Sequence, residues 1–253
     1  MFHLDVAGGI AAVTMDRPPV NAMSEAWVAG FHELLDGLDA RDDWSVLHLR
    51  SALKVFSAGA DLKEMRDRFA APDGLERQLA TIRGYQQLFA RIESLSRVTL
   101  AEISGAALGG GFEVTLACDL RIAAREVKLG LPELRLGLLP GAGGTQRMTR
   151  LAGRPVALRL ILGAEQISGE TAAELGLVQW AVPAAELAAA ARGITERYAA
   201  LPAHAAKAAK ACIAAAAMPG MDGFNEEVAQ TGGLLQTPRT RELIGAFLAG
   251  TNR

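Results

Sequence analysis

The sequence predicts an α/β core followed by a helical tail, on three observations. Strand and helix signals alternate over the first half of the chain. From about Leu151 the pattern becomes nearly all helical. Half of the 253 residues are hydrophobic, enough to bury a sizeable core.

Residues 2–6 and 10–15 read as short strands joined at Gly8-Gly9, a tight-turn pair. Ser24 is a good helix N-cap, and over residues 25–39 the spacing puts Trp27, Phe31, Leu34, Leu35 and Leu38 on one helical face. Residues 45–50 alternate like a half-buried strand. Residues 75–95 form a long helix with Leu79, Ile82, Leu88 and Ile92 inward. Residues 98–104 are another strand, ended by Gly105; 109–117 open a helix, and 120–124 are a strand again. The tail is read as helices over 155–162, 169–175, 185–200, 203–217, 222–236 and 239–249, broken at Gly163, Gly176, Pro183, Pro202, Pro219 and Pro238. Residues 200–217 are low in complexity, but their apolar spacing suits a helix, and no internal repeat is visible.

Charge and composition exclude several classes. With 26 Lys plus Arg against 28 Asp plus Glu, the formal net charge is −2, without the basic excess of a dedicated nucleic-acid binder. Cys118 and Cys212 have no metal-ligand neighbours and form no disulfide framework, so two reduced thiols and no metal site are expected. The N-terminal segment has no basic stretch followed by an apolar run, and no run of about 18 apolar residues is present to span a bilayer. The expected location is the cytoplasm, with no membrane partner.

Three segments carry chemistry. Phe56-Ser57-Ala58-Gly59-Ala60-Asp61-Leu62-Lys63-Glu64-Met65 follows a strand and enters a helix; its small residues let a ligand approach the backbone, although an ordinary tight turn has the same composition. Gly105-Ala106-Ala107-Leu108-Gly109-Gly110-Gly111-Phe112-Glu113 also runs from strand to helix. Its three consecutive glycines are costly in conformational entropy, and they make sense where bare N–H groups at a helix start face an anion or a developing oxyanion. The run lacks the GxGxxG spacing and the P-loop Lys-Ser/Thr, so a phosphate cradle is the weaker alternative, beside a plain flexible turn. The third segment, from Leu131 to Thr145, is rich in Gly and Pro and places Glu133 among apolar residues. That setting raises a carboxyl pKa, unless Glu133 caps a helix or pairs with Arg135. Together the segments supply two sets of N–H donors and two carboxylates, Glu113 and Glu133, a workable kit for proton chemistry beside a thioester carbonyl.

The same stretches resemble the enoyl-CoA hydratase/isomerase, or crotonase, family. The likeness runs in order through Arg17-Pro18-Pro19-Val20-Asn21-Ala22-Met23-Ser24, Ser57 to Met65, Ala107 to Glu113 and Pro132-Glu133 to Arg147. It continues more weakly through Ala172 to Val178 and around Ala246-Phe247-Leu248. The resemblance implies a spiral of ββα turns over residues 1–195 that carries the CoA and catalytic site. It also implies a helical trimerisation region over 196–253, and a homotrimer or a hexamer of paired trimers. It implies oxyanion donors at the Ala60 and Gly110 N–H groups, and a CoA end lined by Ala58 and by Ala60, Asp61, Leu62 and Lys63. It implies catalysis by Glu113 and Glu133, with an acyl-CoA thioester as substrate and no cofactor beyond the coenzyme A that the substrate carries.

Hydrating members carry both glutamates, so addition of water to a 2-enoyl-CoA is the expected reaction. Alternatives are a Δ3,Δ2-enoyl-CoA isomerase using Glu133 alone, thioester hydrolysis or decarboxylation, and a non-catalytic RNA-binding member. Many hydratases carry a lysine after the Phe of the last helix; Gly250 stands at about that place here, with Arg253 the candidate substitute. Residues 66–80 are family-variable and give no acyl length. His3, His32, His48 and His204 match no catalytic position, and His48 is read as structural. Trp27, Trp44 and Trp180 are read as core or interface, Asp119 as a cap or bridge at a subunit contact, and Lys207 and Lys210 as a solvated face.

Overall fold

The computed structural model describes residues 1–218 and 220–250, in two compact units. The first unit comprises Met1–Leu95 and Thr99–Ala199. It opens with a hairpin, β1 (Phe2–Ala7) against β2 (Gly9–Met15), turned at Gly8 and Gly9, whose φ values of 58° and 80° suit glycine. Then come α1 (Glu25–Asp39), β3 (Trp44–Ser51), α2 (Leu62–Phe69), α3 (Gly74–Ser94) and β4 (Val98–Ile103). The short β5 (Ala107–Leu108) leads into α4 (Gly110–Leu116), β6 (Leu120–Ala124) and β7 (Lys128–Gly130). A 3-10 turn over Pro132–Leu136 precedes α5 (Gly144–Leu162), β8 (Gln166–Ser168), α6 (Gly169–Glu174), β9 (Trp180–Val182) and α7 (Ala184–Ala199). The strands form a six-stranded sheet in the order β1-β2-β3-β4-β6-β9 and a three-stranded sheet in the order β5-β7-β8. Parallel pairs (β2 with β3, β4 with β6, β6 with β9) need crossover connections, which the intervening helices supply.

Helix α1 begins where expected: the Ser24 hydroxyl accepts the Trp27 N–H at 3.1 Å. Its buried stripe packs Trp27 and Phe31 against Phe2 of β1, with the Phe2 and Phe31 rings edge to face at 5.2 Å. Helix α3 differs from expectation. Its inward face is Thr81, Tyr85, Leu88, Phe89 and Ile92, while Leu79 is exposed and Ile82 half-buried. The apolar positions of α3 form two stripes, one for the core and one for a cavity described below, and periodicity alone merges them.

The nearly all-helical reading beyond Leu151 needs correction. Strands β8 and β9 lie there, and β7 lies just before it; each has only three residues, too few to show a period of two, and their partners hold them. Helix α5 starts at Gly144, well before the expected 155; Gly153, at φ 81°, breaks it, and Pro155 opens the second piece. Asp119 is a bridge inside this unit: its carboxylate accepts the N–H and hydroxyl of Thr99 at 2.8 and 3.0 Å. His48 is buried on β3 with Nε2 2.8 Å from the buried Glu102 carboxylate on β4, a structural placement as read. Trp27 and Trp44 are core, and Trp180 is half-buried against it.

The second unit joins Ser96–Val98 to the chain from Ala200, whose named elements are all helices. It holds α8 (Ala203–Ala215), α9 (Gly223–Gln236), capped by the Asp222 carboxylate, and α10 (Pro238–Leu248), capped by the Thr237 hydroxyl. His204 meets the Thr240 hydroxyl at 3.1 Å, and Lys210, half-buried and not merely solvated, donates to the Arg97 carbonyl at 3.2 Å. No residue of α9 or α10 is buried.

Candidate active site

The loop from Ser57 to Asp61 is held on both sides. Met23 N–H donates to the Gly59 carbonyl, Asp61 N–H to the Met23 carbonyl and Leu108 N–H to the Ser57 carbonyl, at 2.8 to 3.0 Å. These bonds use every second backbone group and leave the Ala60 N–H pointing away, without an acceptor among the described residues. Gly110 is the first residue of α4, so its N–H has no partner within the helix, and it finds none elsewhere among the described residues. A Cβ placed on Gly110 would lie 3.6 Å from the Ala60 nitrogen, and one placed on Gly59 3.0 Å from the Gly110 nitrogen. The two orphan donors are thus neighbours, and the positive end of α4 adds to their field.

Glu113, in the first turn of α4, is 3 % exposed. Its Oε1 accepts the N–H groups of Ala142 and Gly144 at 2.9 and 2.8 Å. Burial pushes its pKa up to about 7 against those two bonds, with the Glu133 charge adding to the rise. Gly144 is needed here because a Cβ would come within 2.9 Å of the Glu113 carboxylate and of Leu131. Arg147 steadies the cradle by donating to the Ala142 carbonyl at 3.0 Å and to Glu93 at 2.8 Å. Glu133 sits on the 3-10 turn; burial raises its pKa, and its Oε2 is buried without a hydrogen-bond partner among the described residues. Arg135 is not that partner: it donates to the Ala164 carbonyl at 2.9 Å.

Both carboxyl groups line one cavity of about 370 Å³ together with Ala58, Ala60, Leu62 and Gly110. Asp61 and Lys63 are not among the residues lining it. The Asp61 carboxylate caps α2 and bonds Arg17 at 3.0 Å. Burial raises its pKa, but Arg17 and the Glu64 and Lys63 N–H groups outweigh it and hold the pKa below the usual range. The Lys63 side chain is exposed on the first turn of α2. Gly250 has φ 70°, and Arg253 lies outside the described residues. Among the described residues no group of three or more His, Cys, Asp or Glu is placed to hold a metal ion, and no helix is long and apolar enough to cross a membrane. Cys118 is buried and Cys212 half-buried.

Sequence reasoning missed the cradle made by Ala142 and Gly144, whose only signal was the Gly141-Ala142-Gly143-Gly144 run, and the cavity wall from Met65, Gln78 and Tyr85.

The buried acid makes a prediction about stability. The unfolded Glu113 titrates near its ordinary 4.5 and the folded group near 7, so the folded state binds the extra proton between those values. Stability therefore falls as pH rises through that window, by roughly 3 kcal/mol in all. Glu113→Gln keeps an acceptor for both N–H groups and loses this slope. Urea unfolding at about pH 5 and 8 is expected to show the variant gaining on wild type by roughly 2–3 kcal/mol; parallel wild-type and variant curves would refute the assignment.

Comparison with known proteins points to one family. Residues 5–249 match a family model described as enoyl-CoA hydratase/isomerase. Over 169 residues the chain is 43 % identical to a probable enoyl-CoA hydratase of Bacillus subtilis (strain 168), a match covering 67 % of this chain and 64 % of that protein. The chain thus spans less than two thirds of that relative's length. Two solved structures superpose with TM-scores of 0.91. DspI of Pseudomonas aeruginosa is 34 % identical, with 98 % of this chain and 94 % of that one covered. An enoyl-CoA hydratase from Bacillus anthracis is 32 % identical, with 98 % and 96 % covered.

Proposed function

The chain belongs to the enoyl-CoA hydratase/isomerase family, and from that premise we propose that it adds water across the C2–C3 double bond of a 2-enoyl-CoA to give a 3-hydroxyacyl-CoA. One observation carries the reading: two carboxyl groups with raised pKa and two unpartnered N–H groups face a single cavity.

In this reading the thioester oxygen lies between the Ala60 and Gly110 N–H groups. Glu113, ionised, takes a proton from a water held between the carboxyls as its oxygen bonds to Cβ. Negative charge moves to the thioester oxygen, where the N–H pair and the α4 dipole stabilise it. Glu133, protonated, delivers its proton to Cα. The base is anchored by two fixed N–H donors, which favour its charged form, while the acid has a buried oxygen with no donor, which favours its neutral form. A Δ3,Δ2-isomerase needs only one of the pair, so the elaborate cradle around Glu113 favours hydration. The test is the loss of conjugated enoyl-thioester absorbance on adding protein to crotonyl-CoA and to longer 2-enoyl-CoAs. Folded protein that binds CoA esters but bleaches none of them would sink the proposal.

The proposed partners are the acyl-CoA and further copies of this chain, as a trimer or a pair of trimers built through residues 196–253. Supporting this, α9 and α10 bury no residue, and Phe224, Val228, Phe247 and Leu248 are exposed on them. Light scattering at micromolar concentration is expected to give three or six times the 26.6 kDa chain mass; a monomer would refute it. No cofactor is proposed.

A further inference from the structure

The cavity as a whole holds more than a four-carbon acyl group and a water require. At roughly 30 Å³ per water-sized group, its 370 Å³ has room for about twelve such groups. A crotonyl group and the attacking water fill about half of that. The surplus is apolar and open: Phe69, Leu75, Leu79, Leu136 and Leu139 all line it, and each is between 43 % and 75 % exposed. Leaving five large side chains around one opening in contact with water is costly, and such a cluster marks a binding surface for something apolar. It is continuous with Glu113 and Glu133, so the occupant is the part of the substrate beyond the reacting carbons.

The wall is braced against collapse. Arg68, buried on α2, donates to Glu25 on α1 at 2.8 Å and to Gln78 on α3 at 3.0 Å, and to Glu64 on its own helix at 3.0 Å. The Thr81 hydroxyl reaches the same Glu25 oxygen at 3.1 Å. This clasp fixes α2 to α1 and α3, so the apolar side chains of Phe69 and Leu79 remain on the cavity's rim.

The geometry points to a medium-length aliphatic acyl chain, about eight carbons from the thioester carbonyl, as the group this site selects, with Leu79 and Phe69 as the residues that set its length. This rests on the acyl-CoA reading of the site. Each buried methylene strengthens binding about fourfold. From four to eight carbons, transition-state binding therefore rises by about 10² before the space is filled.

Two measurements separate this inference from the hydration reaction. Calorimetric binding of the saturated butanoyl-, hexanoyl- and octanoyl-CoA requires no turnover; octanoyl-CoA is expected to bind about 10²-fold more tightly than butanoyl-CoA. Hydration of the matching 2-enoyl-CoAs is expected to follow the same order in kcat/KM. Leu79→Trp, on an exposed site of α3 where folding is undisturbed, is expected to lower the eight-to-four-carbon ratio of dissociation constants and of kcat/KM by at least about tenfold. Affinity that climbs with chain length without hydration supports the inference and overturns the reaction. Equal affinity for all three esters, or an unchanged ratio in folded Leu79→Trp, overturns the inference whatever the fate of hydration.

Discussion

Glu133→Gln is expected to lower kcat for enoyl-CoA hydration by about 10²–10⁴-fold, the usual contribution of a positioned general acid, with a much smaller change in KM. Gln keeps the size and neutrality of a protonated Glu but has no acidic proton for Cα. The pH profile makes the expectation specific. The reaction needs Glu113 ionised and Glu133 protonated, so the rate climbs with pH on the acid side and declines again on the alkaline side. Because the two groups interact, both limbs belong to the pair. Removing Glu133 therefore removes the alkaline limb along with the rate. A folded Glu133→Gln enzyme retaining more than about a tenth of wild-type kcat would show that Cα receives its proton from elsewhere.

Gly59→Ala is the second large effect. Gly59 adopts φ 88°, and a Cβ there would stand 2.7 Å from the Leu108 carbonyl oxygen and 3.0 Å from the Gly110 nitrogen. Both obstacles are backbone, so relief must come from shifting the segment that carries an oxyanion donor. Loss of one such donor costs about 10²–10³ in kcat, and strained backbone adds roughly 1–3 kcal/mol of destabilisation. Gly176→Ala is the control: its φ of 75° is similarly unfavourable, but nothing lies within 4 Å of the added carbon. It should lose stability and keep kcat. Equal losses of kcat in the two variants would mean that Gly59 matters only for folding.

Much of this site was visible in the chain itself, and the reasons are physical. Glycine runs after a strand announce places where side chains are excluded: Gly59 and Gly110 lie where backbone approaches backbone, and a Cβ on Gly109 would stand 3.1 Å from the Glu133 carboxyl. Helix α1 was legible because its cap and its apolar stripe are both local. What escaped depends on distant partners. Strands β8 and β9 are three residues long and exist because β7 and β6 pair with them. The Ala142 and Gly144 N–H groups that hold Glu113 lie 29 and 31 residues away from it, and no spacing rule links them. Leu79 looked like core because a cavity wall and a protein core demand the same apolar residue at the same helical period.

The pair of carboxyl groups has an electrical consequence. The Glu133 charge disfavours ionisation of Glu113, and the proposed reaction works with one of the two ionised, so the pair carries a single negative charge. In the proposed reaction that charge passes from Glu113 to the thioester oxygen and on to Glu133; it is relocated among buried groups and at no step created or discharged. Mobile ions screen charges that solvent can reach, and they have little hold on such a transfer. The proposed chemical step should therefore be indifferent to ionic strength, and any salt dependence of the proposed activity would report on how the charged phosphates of the proposed acyl-CoA dock.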